Sequence, residues 1–255
     1  MLRFFKIVLP AAALTAAFTL SPASAQTTLE RIKAEGVMTA GTSAAYPPFE
    51  YVEDGELVGF DIDLAEELGK RMGVTVEFEK IDFKGIIAAL QSNRVDTLIT
   101  AMTKTPERAE RISFSMPYYD AGIGALVPAN SDIATPEDLA GKTIGVQLGS
   151  SGERYVRGDL GESVGQIMTY DSILLAINDL KNGRVDAVVN PLPVLSFNIR
   201  GTEGFKTTDV WVSRVVGINT RLEDADLMAE IDMHLTAMEG EGFLDMLAAK
   251  WFGDE

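Results

Sequence analysis

Short apolar runs with a period of two alternate along this chain with longer stretches whose apolar positions recur every three or four residues, the patterns of half-buried strands and amphipathic helices. The first half predicts a strand over 37–41, a helix over 61–72, and a strand over 74–80 with Val74, Val76 and Phe78 on one face. A helix over 83–92 and a strand over 95–100 follow. In the second half Thr135-Pro136-Glu137-Asp138 caps a short helix, and strands are expected over 143–147, 166–169 and 185–190, with a helix over 172–181. Strands alternating with helices predict an α/β fold with mainly parallel sheets, and the cleft where strand ends and helix N-termini converge is the expected ligand site.

The pattern also repeats. Leu90-Gln91-Ser92-Asn93-Arg94-Val95-Asp96-Thr97-Leu98-Ile99 returns as Leu180-Lys181-Asn182-Gly183-Arg184-Val185-Asp186-Ala187-Val188-Val189, an offset of 90 residues. Each copy ends an amphipathic helical pattern and passes through a polar turn into an apolar strand. Two α/β units of the same plan are implied.

The N-terminus departs from this grammar. Arg3 and Lys6 precede an apolar run that ends in Ala23-Ser24-Ala25, the form of a secretory signal peptide over residues 1–25 cleaved after Ala25. No later apolar run approaches the roughly 20 residues of a membrane span. A periplasmic product is expected. The chain has no cysteine, so it forms no disulfide and carries no lipid-modified cysteine. Removing Arg3 and Lys6 leaves 20 basic against 38 acidic residues, a net charge of −18 for residues 26–255. Such a surface repels nucleic acid. An anionic ligand needs a local positive site.

Arg108 is the candidate. Thr105 is placed as an N-cap and Pro106 as the first helical residue, which puts Arg108 in the first turn of a helix. An arginine there gains nothing from the helix dipole, so what it points at matters more than helix stability. With the hydroxyls of Thr100 and Thr103 and exposed backbone N–H groups, its planar fork forms a carboxylate-sized donor cluster. Gly149-Ser150-Ser151-Gly152, between a strand and a helix, is a candidate anion nest.

Gly59-Phe60-Asp61-Ile62-Asp63-Leu64 with Leu68-Gly69, then Thr103 to Arg108, Phe114-Ser115-Met116-Pro117-Tyr118-Tyr119 and the closing Trp251-Phe252-Gly253 carry a family likeness. Together they resemble the signature of periplasmic polar amino-acid-binding proteins of ABC importers, the bacterial extracellular solute-binding proteins of family 3. The resemblance implies a type II periplasmic-binding-protein ("Venus flytrap") fold with two α/β lobes. Lobe 1 would comprise 26–119 and 213–255, lobe 2 would comprise 120–212, and the hinges would lie near 119–122 and 211–215. It further implies that Tyr46 and Phe83 sandwich the ligand side chain, that Thr100, Ala101 and Thr103 meet the α-amino and α-carboxylate groups, and that Arg108 clamps the carboxylate. Gln147, Ser150, Ser151 and Asn190 would contribute from the second lobe. Asp61 and Asp63 are expected at a helix start, where carboxylates suit the dipole, and not as metal ligands. His234 is expected to pack or be solvated. No cofactor is implied. The partners implied are a small carboxylate or amino acid and a membrane permease, with the protein itself a monomer.

The sequence departs from that family at Pro191, which stands where an aspartate usually binds the ligand's ammonium, and near Ser43, where some members carry an acid. On this reading the pocket holds an uncompensated positive charge and suits a net-negative solute such as a keto, hydroxy or dicarboxylic acid or an acidic amino acid. The alternatives are an enzyme like the cyclohexadienyl dehydratases, which needs a carboxylic acid in the cleft, and a ligand-sensing domain. Residues 190–197 offer no such acid.

Overall fold

The computed structural model describes residues 26–253, so the signal-peptide reading of 1–25 lies outside the described residues. Two five-stranded sheets form the frame. The first runs in the order Thr75–Lys80, Val37–Thr42, Thr97–Leu98, Asn219–Thr220, Ser113–Phe114. The second runs Gln166–Tyr170, Thr143–Gln147, Ala187–Pro191, Ile123–Pro128, Phe205–Thr207. In each, the first three strands are parallel and the rest join antiparallel. The sheets are therefore mixed rather than mainly parallel. The fourth strand of each sheet, Asn219–Thr220 and Ile123–Pro128, enters after the chain has crossed from the other lobe and so is not held parallel by a strand–helix–strand crossover.

The chain passes between the sheets twice. Tyr119–Asp120 pairs antiparallel with Val215–Val216, and Ile123 bridges to Val212. The two crossings thus lie side by side. After the second, the helices Ala225–Gly240 and Phe243–Phe252 return to pack on the helix Phe60–Met72.

That helix shows how the motifs hold the first lobe. It buries Phe60, Leu64, Ala65, Leu68 and Met72 on one face, places Lys70 and Arg71 in its last turn, and stops at Gly73, which is left-handed with φ 72°. Each large apolar side chain so buried contributes about 1.5–3 kcal/mol. At its start Gly59 adopts φ +139°, and a Cβ there would lie 2.1 Å from the carbonyl oxygen of Phe49. Only glycine permits this approach, which lets Asp61 N–H bond Phe49 O at 2.8 Å. Asp63 accepts from Lys250 Nζ at 2.6 Å and Trp251 Nε1 at 2.7 Å, and Phe252 stacks on Phe60 with centroids 5.3 Å apart. The opening and closing motifs are thus partners in space.

The repeat has a structural meaning. Asp96 accepts the N–H of Thr39 at 2.9 Å and returns its own N–H to the same residue's carbonyl; Asp186 does both with Thr143, accepting at 2.8 Å. Asn93 and Gly183 both turn left-handed just before. Each copy pins the parallel strand beside it. Other elements are shorter than expected. The 95–100 strand is confined to Thr97–Leu98, because Ala101 with φ 45° breaks the extended run, and the 83–92 helix opens as the 3₁₀ turn Phe83–Gly85 before the α-helix Ile86–Gln91.

Candidate functional site

Where the C-terminal ends of the parallel strands face each other, Tyr46, Phe83, Ala101, Thr103, Arg108, Gln147, Ser150 and Ser151 enclose a cavity of about 10 Å³. That is room for about one water molecule, so the cleft must open to admit a metabolite. Five of the eight come from the first lobe and three from the second. Arg108 is delivered by the one-turn helix Pro106–Ala109, whose N-cap Thr105 accepts the Arg108 N–H at 3.2 Å. Ser150 caps the helix Ser151–Arg154, accepting from Glu153 N–H at 3.1 Å. Gly152 packs that helix on the end of strand Ala187–Pro191, where a Cβ would stand 2.3 Å from the Val189 carbonyl oxygen.

The Arg108 guanidinium is 3% exposed and lies over the Phe83 ring, 5.6 Å from its centroid. One Nη donates to the Thr103 carbonyl at 2.7 Å and the other to the Gly149 carbonyl at 2.8 Å, the second bond crossing between lobes. A guanidinium has five N–H donors. These two carbonyls take two of them, and the Nε–H is buried without a partner. Burial pulls the Arg108 pKa down to about 10, still protonated at neutral pH. Among the described residues no carboxylate acts on it. A desolvated cation held this way costs several kcal/mol unless an anion joins it.

Thr100 and Asn190 do not line the cavity. The Thr100 hydroxyl turns inward and donates to Glu50 Oε1 at 2.6 Å, while accepting from Ser43 N–H at 3.2 Å. Asn190 reaches across the lobes, its Nδ2 donating to the Tyr46 hydroxyl at 2.8 Å, with its Oδ1 buried and unpartnered. Burial raises the Tyr46 pKa, so its hydroxyl stays neutral. Further bonds between the lobes are the ion pairs Lys84–Asp171, at 2.8 Å, and Arg154–Glu107. His234 lines none of the cavity; it sits on the helix Ala225–Gly240 with Nε2 3.8 Å from Glu230.

Two acids that the charge reading of the sequence did not count lie behind the cavity wall. Glu50 and Asp61 are fully buried, Glu50 bonding Thr100 and Asp61 accepting the Ala101 N–H at 2.5 Å. Asp61 does begin a helix, but its carboxylate serves this network, with Tyr118 Oη donating to it at 2.9 Å. Pro191 ends its strand without an N–H to offer, as expected. The positive charge is nevertheless not the only ionisable group at the site. No local signal singles out Glu50, which follows the apolar Tyr46-Pro47-Pro48-Phe49 run.

The family model for bacterial extracellular solute-binding proteins, family 3, matches residues 38–254. The chain belongs to this family. The family's type II fold accounts for the paired crossings and for the return of the C-terminal helices to the first lobe. Among family members, the L-cystine-binding protein TcyJ of Escherichia coli (strain K12) is 33% identical over 248 residues, covering 95% of this chain and 92% of that protein. The ABC transporter arginine-binding protein 1 of Escherichia coli (strain K12) is 34% identical over 255 residues, covering 97% and 98%. The crystal structure of AncCDT-1, an ancestral amino acid-binding protein and precursor of cyclohexadienyl dehydratase, superposes with a TM-score of 0.83 at 35% identity, covering 89% of this chain and all of that one.

Proposed function

We propose that this family 3 protein captures an amino acid or related small carboxylate in the cleft between its lobes and delivers it, from the periplasm, to the membrane permease of an ABC importer. The observation that carries the reading is the buried Arg108, a cation without a carboxylate partner in the closed cleft between the lobes. The Nε–H and the remaining Nη–H groups meet the ligand carboxylate, Tyr46 and Phe83 flank its side chain, and Gln147, Ser150 and Ser151 close on it from the second lobe. Thr103 and the backbone of Ala101 complete the first-lobe wall. The relatives named for cystine and arginine support an α-amino acid over a deaminated acid. Residues 26–119 with 213–255 form one moving body and 120–212 the other.

The likeness to a dehydratase precursor raises an enzymatic reading, which requires an acid in the cavity. Neither Glu50 nor Asp61 lines it, which favours the binding protein. A thermal-shift screen over the amino acids, L-cystine, keto acids, prephenate and arogenate tests both readings. A ligand at a hundred times its Kd stabilises by about 2.7 kcal/mol. Stabilisation by an amino acid without turnover is expected. Turnover of prephenate or arogenate, or no shift with any amino acid, would overturn the proposal.

A further inference from the structure

The backbone sets Glu50 and Asp61 side by side, because the N–H of Asp61 bonds the carbonyl of Phe49, the residue before Glu50, at 2.8 Å. Both oxygens of Asp61 are engaged, Oδ2 by the Ala101 N–H at 2.5 Å and Oδ1 by the Tyr118 hydroxyl at 2.9 Å. Glu50 is different. Its Oε1 accepts from Thr100 Oγ1 at 2.6 Å and Ser43 Oγ at 2.9 Å, while Oε2 is fully buried with no donor to accept from. A carboxylate oxygen stranded in this way is costly, and its neighbour is a second acid. A proton on Oε2 resolves the conflict, turning Glu50 into a donor and Asp61 into its acceptor.

We propose that Glu50 holds a proton on Oε2 and donates it to the Asp61 carboxylate, and that the two acids together position the Thr100–Thr103 segment of the ligand cavity. Ala101 lines that cavity and adopts φ 45°, a backbone conformation that non-glycine residues rarely occupy. Asp61 holds its N–H. Glu50 holds the hydroxyl of Thr100, the residue before. The direction of titration agrees, since burial and the neighbouring acid push Glu50 well up, and burial pushes Asp61 up. The other titratable groups facing the pair are Tyr118 and Tyr46, both themselves raised by burial. No cation acts on either acid; the hydrogen bonds from Thr100, Ser43, Tyr118 and Ala101 favour the ionised forms but burial outweighs them.

Glu50→Gln tests this, because an amide places an acceptor at Oε1 and a fixed donor at Oε2. In the mature protein, infrared difference spectra at neutral pH should show a buried protonated-carboxyl stretch that Glu50→Gln removes. The Ala101 amide should keep its hydrogen-exchange protection in Glu50→Gln and lose it at least tenfold in Glu50→Leu, which has no donor. Affinity for the amino acid that shifts the wild type, with L-arginine and L-cystine as first probes, should stay within threefold in Glu50→Gln and fall at least tenfold in Glu50→Leu. Absence of the carboxyl band, or equal loss of Ala101 protection in Glu50→Gln and Glu50→Leu, would overturn the proposal. Should Glu50→Leu not fold, the infrared band and the Ala101 protection of Glu50→Gln against wild type decide the question. Only the affinity arm rests on the amino-acid reading; the spectroscopic arms need no ligand, so the two can fail separately.

Discussion

Arg108 donates to the carbonyl of Gly149 across the cleft at 2.8 Å while holding the carbonyl of Thr103 in its own lobe at 2.7 Å. One side chain therefore senses both lobes and is also the cation left for a ligand carboxylate. Arg108→Ala should weaken binding by more than tenfold, about 2–5 kcal/mol by analogy with buried charged pairs. Arg108→Lys should not restore it, because the ammonium lacks the planar fork. Isothermal calorimetry checks both; unchanged affinity in Arg108→Ala would remove Arg108 from the site.

The Asn190–Tyr46 bond, at 2.8 Å, is a buried link between lobes beside that of Arg108 to Gly149, whereas Lys84–Asp171 is exposed on both sides. Exposed pairs contribute about 0–1 kcal/mol and are screened by salt. Small-angle scattering should show a smaller radius of gyration with ligand than without, since ligand contacts from both lobes coexist only in the closed form. Asn190→Ala should need more ligand to reach the compact form, with raised salt having a smaller effect. A radius that ligand leaves unchanged at saturation would argue against closure.

The two copies of the repeat should differ in what they hold. Asp96 is 7% exposed and also pairs with Arg31, whereas Asp186 is exposed. Asp96→Ala should destabilise by about 1–3 kcal/mol, the cost of leaving buried donors unpaired. Asp186→Ala should cost less than about 1 kcal/mol. Urea titrations of the two variants against wild type give the comparison, and equal losses would contradict it.

Asp61 is pushed up from 3.8 to about 7, and Glu50 is raised well above 4.5, both first by burial. The folded state then binds more protons than the unfolded chain above the ordinary carboxylate values, so these acids make stability fall as pH rises from about 4 through 7. The surface acids Glu67, Glu241 and Asp179, held low mainly by arginine or tyrosine hydrogen bonds, act in the opposite sense as pH falls below their unfolded values. Glu50→Gln removes one of the raised acids. Its melting temperature relative to wild type should therefore climb between pH 5 and pH 8 (about where the raised groups titrate), and a flat difference would be evidence against burial of the pair.

Much of the site was legible because its residues belong to local signals. Thr105-Pro106 announces the turn that carries Arg108, and Gly149-Ser150-Ser151-Gly152 the strand-to-helix loop that brings Ser151 to the cleft. Glu50 was not legible, since nothing local tells a buried acid from an exposed one at the end of an apolar run. The inward turn of Thr100 was hidden for the same reason: a threonine hydroxyl faces whichever acceptor the fold brings near. The reading of Pro191 concerned residues adjacent in the family pattern and did not take in Glu50 and Asp61. Glu50 and Asp61 enter through a close approach of Gly59 to Phe49 that neither periodicity nor capping signals.

By itself, the sequence determined the alternation of strands and helices, the repeated turn that pins each parallel trio, and the arginine placed where helix stability gives no reason for it. These follow from periodicity, capping and chain-local sterics, which act over a few residues. Tertiary structure decided which strands join antiparallel, that Asp63 meets Trp251 and Gly59 meets Phe49, and that two acids lie against each other behind Ala101. Those outcomes depend on close approach between segments up to 188 residues apart, where burial rather than local propensity sets the energy of a charge and the partner of a hydrogen bond.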